Sequence, residues 1–193
     1  MTEKSSSALV EVVEVFEIIK SRRTIHSYSD KKVSDEILQS ALESAIHAPN
    51  HHLTWPWFFI RVQGKTRNEI ADLYVKLKSQ KSPLSVKAAE AARVKILEAP
   101  VLLIAGIKKR VATEREDYAS LACALQNMAL YLWSENVGMK WSTVQLIQAS
   151  ELYSLLNISS DTHEIAGVIH IGYPRVIPQK TERPPLEQFY RSV

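Results

Sequence analysis

The chain has 193 residues, 46% hydrophobic and 23% charged, with 24 Lys and Arg against 21 Asp and Glu and a formal net charge of +3. That length suits one domain, 1–193, with a real core, and a charge excess so small and scattered gives no ground for nucleic-acid binding. Cys123 is the only cysteine, so no internal disulfide can form; a reducing compartment is expected, and the apolar helical pattern around Cys123 predicts a small core residue.

In chain order, residues 1–8 are polar and are expected to be disordered. Glutamates at Glu11, Glu14 and Glu17 interrupt the following apolar stretch at helical spacing, which predicts a helix to Lys20 and argues against a signal-peptide core. Ser34 is placed to cap a second helix, whose apolar stripe runs through Ile37, Leu38, Ala41, Leu42, Ala45 and Ile46 until Ala48-Pro49 closes it. WFFIRV (57–62) reads as a strand, Gly64 turns the chain into a helix around 67–78, and an Ala-, Glu- and Lys-rich helix covers 86–98. VLLIAGI (101–107) suits a buried strand. The longest helix is predicted over 117–137, with Gly138 as its stop. MKWST is a short strand or loop edge, Ser150 is the expected cap of a helix to Leu156, and EIAGVIHIGYP (164–174) is the last strand. The proline- and charge-rich remainder, 175–193, reads as an extended arm. Strands separated by helices predict an α/β sandwich with helices packed on one sheet, and pattern alone leaves the strand directions open. No apolar run approaches the ~20 residues of a membrane span. A cytoplasmic protein is expected.

The common catalytic signatures are missing: no GxSxG, HExxH, GxxxxGK[ST] or GxGxxG occurs. His47 and His51 are four apart with Pro49 between them, so they cannot share a regular helix face as zinc ligands, and no metal site is expected. What remains are anion-seeking and aromatic groups in four places. These are Arg22-Arg23-Thr24 with His26, HAPNHHLTWPWFF (47–59), GMKWST (138–143), and Lys180 with Arg183. Arginine forks suit a phosphate, and apolar surface with a few placed donors suits a flat ring. Each segment also has a plain reading alone, as a solvated helix end, edge packing, loop surface or exposed arm.

In this order the segments resemble the nitroreductase family of FMN-dependent oxidoreductases, and within it the small, compact subgroup with an APxH turn. IIKSRRTIHSY is similar to the family's opening, ALESAIHAPNHHLTWPWFFIRV to its second helix and Ala-Pro turn, NMALYLWSENVGMKWST to its central helix, and IAGVIHIGYPRVIPQKTERPPLEQF to its last strand and arm. The resemblance spans about 16–190. It implies a sandwich with a central mixed sheet flanked by helices, built as a homodimer with flavin at the interface and the C-terminal arm reaching the partner subunit. It implies that Arg22 and Arg23 donate to the FMN phosphate or ring oxygens, Thr24 to the phosphate, and that His26 lies near the pyrimidine end of the ring. His47 and His51 match positions that reach a flavin bound mainly by the other subunit. Lys140, Trp141 and Ser142 match the stretch that lines the isoalloxazine, and Arg183 matches a phosphate-contacting arginine. Trp55 stands where most members have Gln, so the substrate pocket departs from theirs.

The implied activity is hydride transfer from NADH or NADPH to flavin N5, then to a small acceptor such as a nitroaromatic or quinone, in a ping-pong scheme with no obligatory catalytic side chain. Two alternatives stay open: a flavoenzyme of the same fold with other chemistry (dehalogenation, flavin fragmentation or substrate oxidation), and a non-enzymatic basic module binding an anion through Arg22, Arg23 and the tail.

Overall fold

The structure is a computed structural model that describes residues 15–193; the expectation for 1–8 lies outside that range. Helix α1 (15–21) ends at the two arginines. Ser34 caps α2 (Asp35–Ile46), its hydroxyl accepting from the Ile37 N–H at 3.3 Å, and Leu38, Ala41 and Ala45 are the buried part of the stripe. β1 (Trp57–Val62) leads through Gly64, at φ 55°, into α3 (Gly64–Lys81). α4 (Val86–Leu97), capped by Ser85, is followed by β2 (Val101–Lys108), α5 (Glu114–Ser134), β3 (Gly138–Ser142), α6 (Ser150–Leu155) and β4 (His163–Gly172).

The sheet runs β1-β2-β4-β3. All its pairings are antiparallel, so the expected mixed sheet is corrected for these four strands. A parallel element enters only as an isolated bridge of Thr24 to Met139 on the outer edge of β3. The central strands β2 and β4 are buried on both faces, which explains their continuous apolar runs. On one face α2 and α5 pack against Leu103, Ala105, Ile169 and Ile171; on the other, α3, α4 and α6 pack against Leu102, Ile104 and Val168. Leu121, Leu125, Met128 and Leu132 carry α5 into the first layer, all at most 1% exposed. Each such side chain stabilises the fold by about 1.5–3 kcal/mol relative to exposure.

Three local expectations are corrected. α5 stops at Ser134, and Asn136, at φ 59°, takes the left-handed position, while Gly138 opens β3 because Ile25 lies where a Cβ would stand. Ser150 is the first residue of α6 and its hydroxyl turns to Glu151, so no side chain caps that helix. Cys123 is exposed: it falls between the core-facing and open faces of α5. Beyond Tyr173 the arm is exposed and nearly without regular structure, with one 3-10 turn at Leu186–Gln188. Among the described residues, no helix is long and apolar enough to cross a membrane.

Candidate functional site

The segment after α1 is fixed along the outer edge of β3. Ile25, fully buried, packs over Gly138, and its N–H donates to Met139 O at 3.3 Å. The buried Tyr28 hydroxyl donates to Ile25 O at 2.8 Å and reaches His170 O at 3.2 Å. Trp133 Nε1 donates to the Ser21 hydroxyl at 3.0 Å, pinning the end of α1 to α5. These contacts aim residues 22–24 at the open side of α5.

The two arginines then divide their work. Arg23 Nη1 donates to the carbonyls of Lys20, Ser21 and Arg22 at 2.9, 2.8 and 2.8 Å, closing the C-terminus of α1 where a cation is favoured. The half-buried Arg22 faces two adjoining recesses. The larger, about 860 Å³, is lined by Lys20, Arg22, Arg23, Lys180 and Arg183, with Gln126 and Glu182. Burial chiefly, then the charges of Arg23 and Arg183, holds the Arg22 guanidinium below its usual pKa. A recess of crowded cations in this state favours an anion.

The second recess, about 410 Å³, shares Arg22 and Gln126 with the first and is otherwise mostly apolar, with Leu125, Ala129, Met139, Tyr118 and Trp141 in its walls. Trp141 lies over Gly167, where any Cβ would overlap the indole, and its Nε1 donates to Ala166 O at 3.0 Å. Tyr118 faces it with ring centroids 6.4 Å apart. The indole N–H is thus satisfied by the protein, and its ring is left as an apolar wall.

Of the residues singled out from sequence, Arg22, Arg23 and Arg183 share the cationic recess, and Arg22, Thr24 and Trp141 share the apolar bay. Lys140 and Ser142 alternate with Met139 and Trp141 along β3 and line neither recess. Lys140 sits opposite His170 in register, and its ammonium is held below its usual pKa mainly by burial, with Glu98 and Lys95 nearby. His26 is exposed and lines neither recess.

His47 and His51 are exposed on the far side of α5, where Asn127 Nδ2 donates to Ser44 O at 3.2 Å and the Ser120 hydroxyl donates to Pro49 O at 2.8 Å. The chain does not bring them to its own recesses. Their loop is stiff: His52, Leu53 and Trp55 hold φ of 62°, 52° and 45°. Asn50 Oδ1 accepts from the Trp55 N–H at 2.8 Å, while the Thr54 hydroxyl donates to the buried Asp117 carboxylate.

Residues that the sequence did not mark are Tyr118, Ala122, Leu125, Gln126 and Ala129, all from α5. Their signal is helical spacing: they form the α5 face that α2 leaves open. Met139 and Thr143 lie inside the marked GMKWST stretch, without a role of their own in that reading.

Comparisons with known proteins identify the family and the fold. The sequence model of the nitroreductase family matches residues 19–173. The Bacillus subtilis protein named "Putative NAD(P)H nitroreductase YfhC" is 27% identical over 182 residues, 92% of this chain and 93% of that protein. The nitroreductase-like family protein from Bacillus cereus superposes with a TM-score of 0.80 at 23% identity, over 93% of this chain and 95% of that one. The FMN-dependent nitroreductase NfnB from Mycobacterium smegmatis, solved in complex with NADPH, superposes with a TM-score of 0.75 at 17% identity, over 94% and 99% of the two chains. These structural likenesses establish a shared fold.

Proposed function

The chain belongs to the nitroreductase family, and from that premise we propose that it is an FMN-dependent oxidoreductase. It takes hydride from NADH or NADPH and passes it to a small acceptor such as a nitroaromatic or quinone, in a ping-pong cycle. The observation that carries the reading is Arg22, which lines both a cationic recess and an apolar, aromatic-walled bay. FMN has the same two ends: a phosphate dianion and a flat ring, joined by a polar chain. The named relatives point the same way, YfhC through NAD(P)H and NfnB through FMN and NADPH.

Arg22, with Lys180 and Arg183 beside it, would hold the phosphate, and the Thr24 hydroxyl would add a donor at the mouth of the bay. Bound flavin supplies the hydride-accepting N5 and the electron store, so no side chain needs to act as acid or base. Leu125, Ala129, Met139 and Trp141 would give a bound ring its apolar surroundings and limit the access of water.

A homodimer is part of this reading, supported by the large apolar side chains left outside: Phe16 is 58% exposed, Trp55 55%, Leu186 68% and Phe189 73%. A second copy would cover them, receive the 175–193 arm, and bring His47 and His51 to the partner's flavin. The single cysteine and the sequence pattern fit an enzyme of the cytoplasm.

The test is the visible spectrum of the purified protein. A yellow chromophore, or uptake of added FMN, followed by anaerobic bleaching with NADH or NADPH is the expected result. A protein that stays colourless with FMN present overturns the reading. Bound flavin that neither nicotinamide bleaches moves the chain to other chemistry on the same fold.

A further inference from the structure

We propose that Glu98 is a positioning residue, a clasp that holds together the two chain segments supplying cations to the phosphate recess. Its link to cofactor binding rests on the flavin reading above. Glu98 follows α4 directly and lines neither recess. Its Oε1 accepts from the Ser27 hydroxyl at 3.0 Å and from the Tyr28 N–H at 3.2 Å, and lies 3.5 Å from Arg175 Nη1. Ser27 and Tyr28 belong to the segment that carries Arg22 and Arg23, and Arg175 is the root of the arm that carries Lys180 and Arg183. The backbones are also laced together there: the Arg175 N–H donates to Ser27 O at 3.0 Å and the Ser29 N–H to Tyr173 O at 2.9 Å. One carboxylate oxygen therefore sits at the junction of two segments far apart in sequence, where each sets out towards the recess.

A charge is required there for a physical reason. The tip of the arm brings Arg183 towards Arg22 and Arg23, which repel it whenever no anion lies between them. Something must hold the root of the arm against that push. A neutral acceptor could serve Ser27 and Tyr28, whereas an anion also attracts the Arg175 guanidinium by its charge across 3.5 Å. The Glu98 side chain is 22% exposed and that of Arg175 54%, so solvent screens the arginine end of the pair and leaves the carboxylate end less screened. Glu98 thus orders the cationic recess before the phosphate arrives, without touching it.

The test uses the full-length protein with Glu98→Ala, Glu98→Gln and Arg175→Ala. Two quantities are read: amide exchange in peptides covering 24–29 and 173–177 of the flavin-free protein, and FMN affinity by fluorescence quenching. Glu98→Ala is expected to speed exchange in both peptides at least about fivefold and to raise the FMN Kd about tenfold, the loss of charge-assisted contacts. At saturating FMN, kcat should stay within about twofold. Glu98→Gln should restore slow exchange at 24–29 but not at 173–177, matching Arg175→Ala, because the amide still accepts from Ser27 and Tyr28. A merely structural carboxylate would not divide the two peptides this way. The clasp is overturned if both peptides exchange as in the wild type in Glu98→Ala, or if Glu98→Gln behaves as Glu98→Ala at both. Should the wild type take up no FMN, the flavin reading falls, and the exchange pattern alone still decides the clasp.

Discussion

Arg22→Ala tests the phosphate assignment most directly. The guanidinium is half-buried, lines both recesses, and has Arg23 and Arg183 as neighbours, while Arg23 Nη1 is already committed to three carbonyls. Removing Arg22 deletes a hydrogen bond to a charged group, worth ~1.5–3 kcal/mol, so the FMN Kd should rise by about ten- to 150-fold. Arg183 and Lys180 remain in the recess, which favours the lower half of that range. Riboflavin, with the same ring and no phosphate, provides the internal control. Fluorescence titration at one fixed salt concentration should show the large loss for FMN and little change for riboflavin. The flavin-free variant should melt no lower than the wild type, because burial and two like charges already oppose the Arg22 charge. Equal losses for both flavins would mean that Arg22 touches the ring rather than the phosphate. No loss for either would refute the assignment.

Two further predictions concern the layers behind the site. His170 is 2% exposed with Nδ1 unpartnered, and burial first, then the charges of Lys140 and Arg67, lowers its pKa from 6.5 to about 3. The fold therefore prefers the neutral ring, and this contribution is complete above pH 6.5 and is lost as the pH falls towards 3. Unfolding free energies from urea titrations should decline with acid by about 1.4 kcal/mol per pH unit more in the wild type than in His170→Gln, and parallel curves would contradict the burial argument. Gly167→Ala puts a methyl group where the Trp141 indole lies and strains its bond to Ala166 O. Such overpacking costs about 1–3 kcal/mol; thermal melts should show it, together with weakened binding of FMN and riboflavin alike, since the bay rather than the phosphate recess is changed.

The layers were legible because local pattern and burial agree. VLLIAGI has no polar position to turn outward, and its strand is covered on both faces. The Ser34 cap, the α2 stripe and the Gly64 turn depend on neighbours within four residues, and the structure has all three. The misplaced features depended on competition. Asn136 and Gly138 both suit the end of α5, and Gly138 is instead demanded by Ile25, from a segment more than a hundred residues earlier. Cys123 lies one position off the core stripe of α5, which window-level hydrophobicity does not resolve. Strand direction was not encoded in any run of residues, and the antiparallel order is visible only in the pairings of the assembled sheet.

For the candidate site, contiguous motifs lead to segments that line the two recesses but not to individual side chains. RRT lies outside regular structure, and each of its residues lines a recess. KWS lies in a strand, where neighbours point to opposite faces, so a bay lined by Trp141 must take Met139 and leave out Lys140 and Ser142. That parity is a property of any extended strand and needs no tertiary contact to work it out. The α5 contribution does need one, because its apolar and small residues surround much of the helix. Only the docking of α2, through Ser44 to Asn127 and Pro49 to Ser120, decides which face is closed and leaves the one bearing Tyr118, Ala122, Leu125 and Gln126 to a ligand. The same docking carries His47 and His51 away from their own chain's recesses, so under the proposed function their flavin contact would have to come from a second copy of the chain.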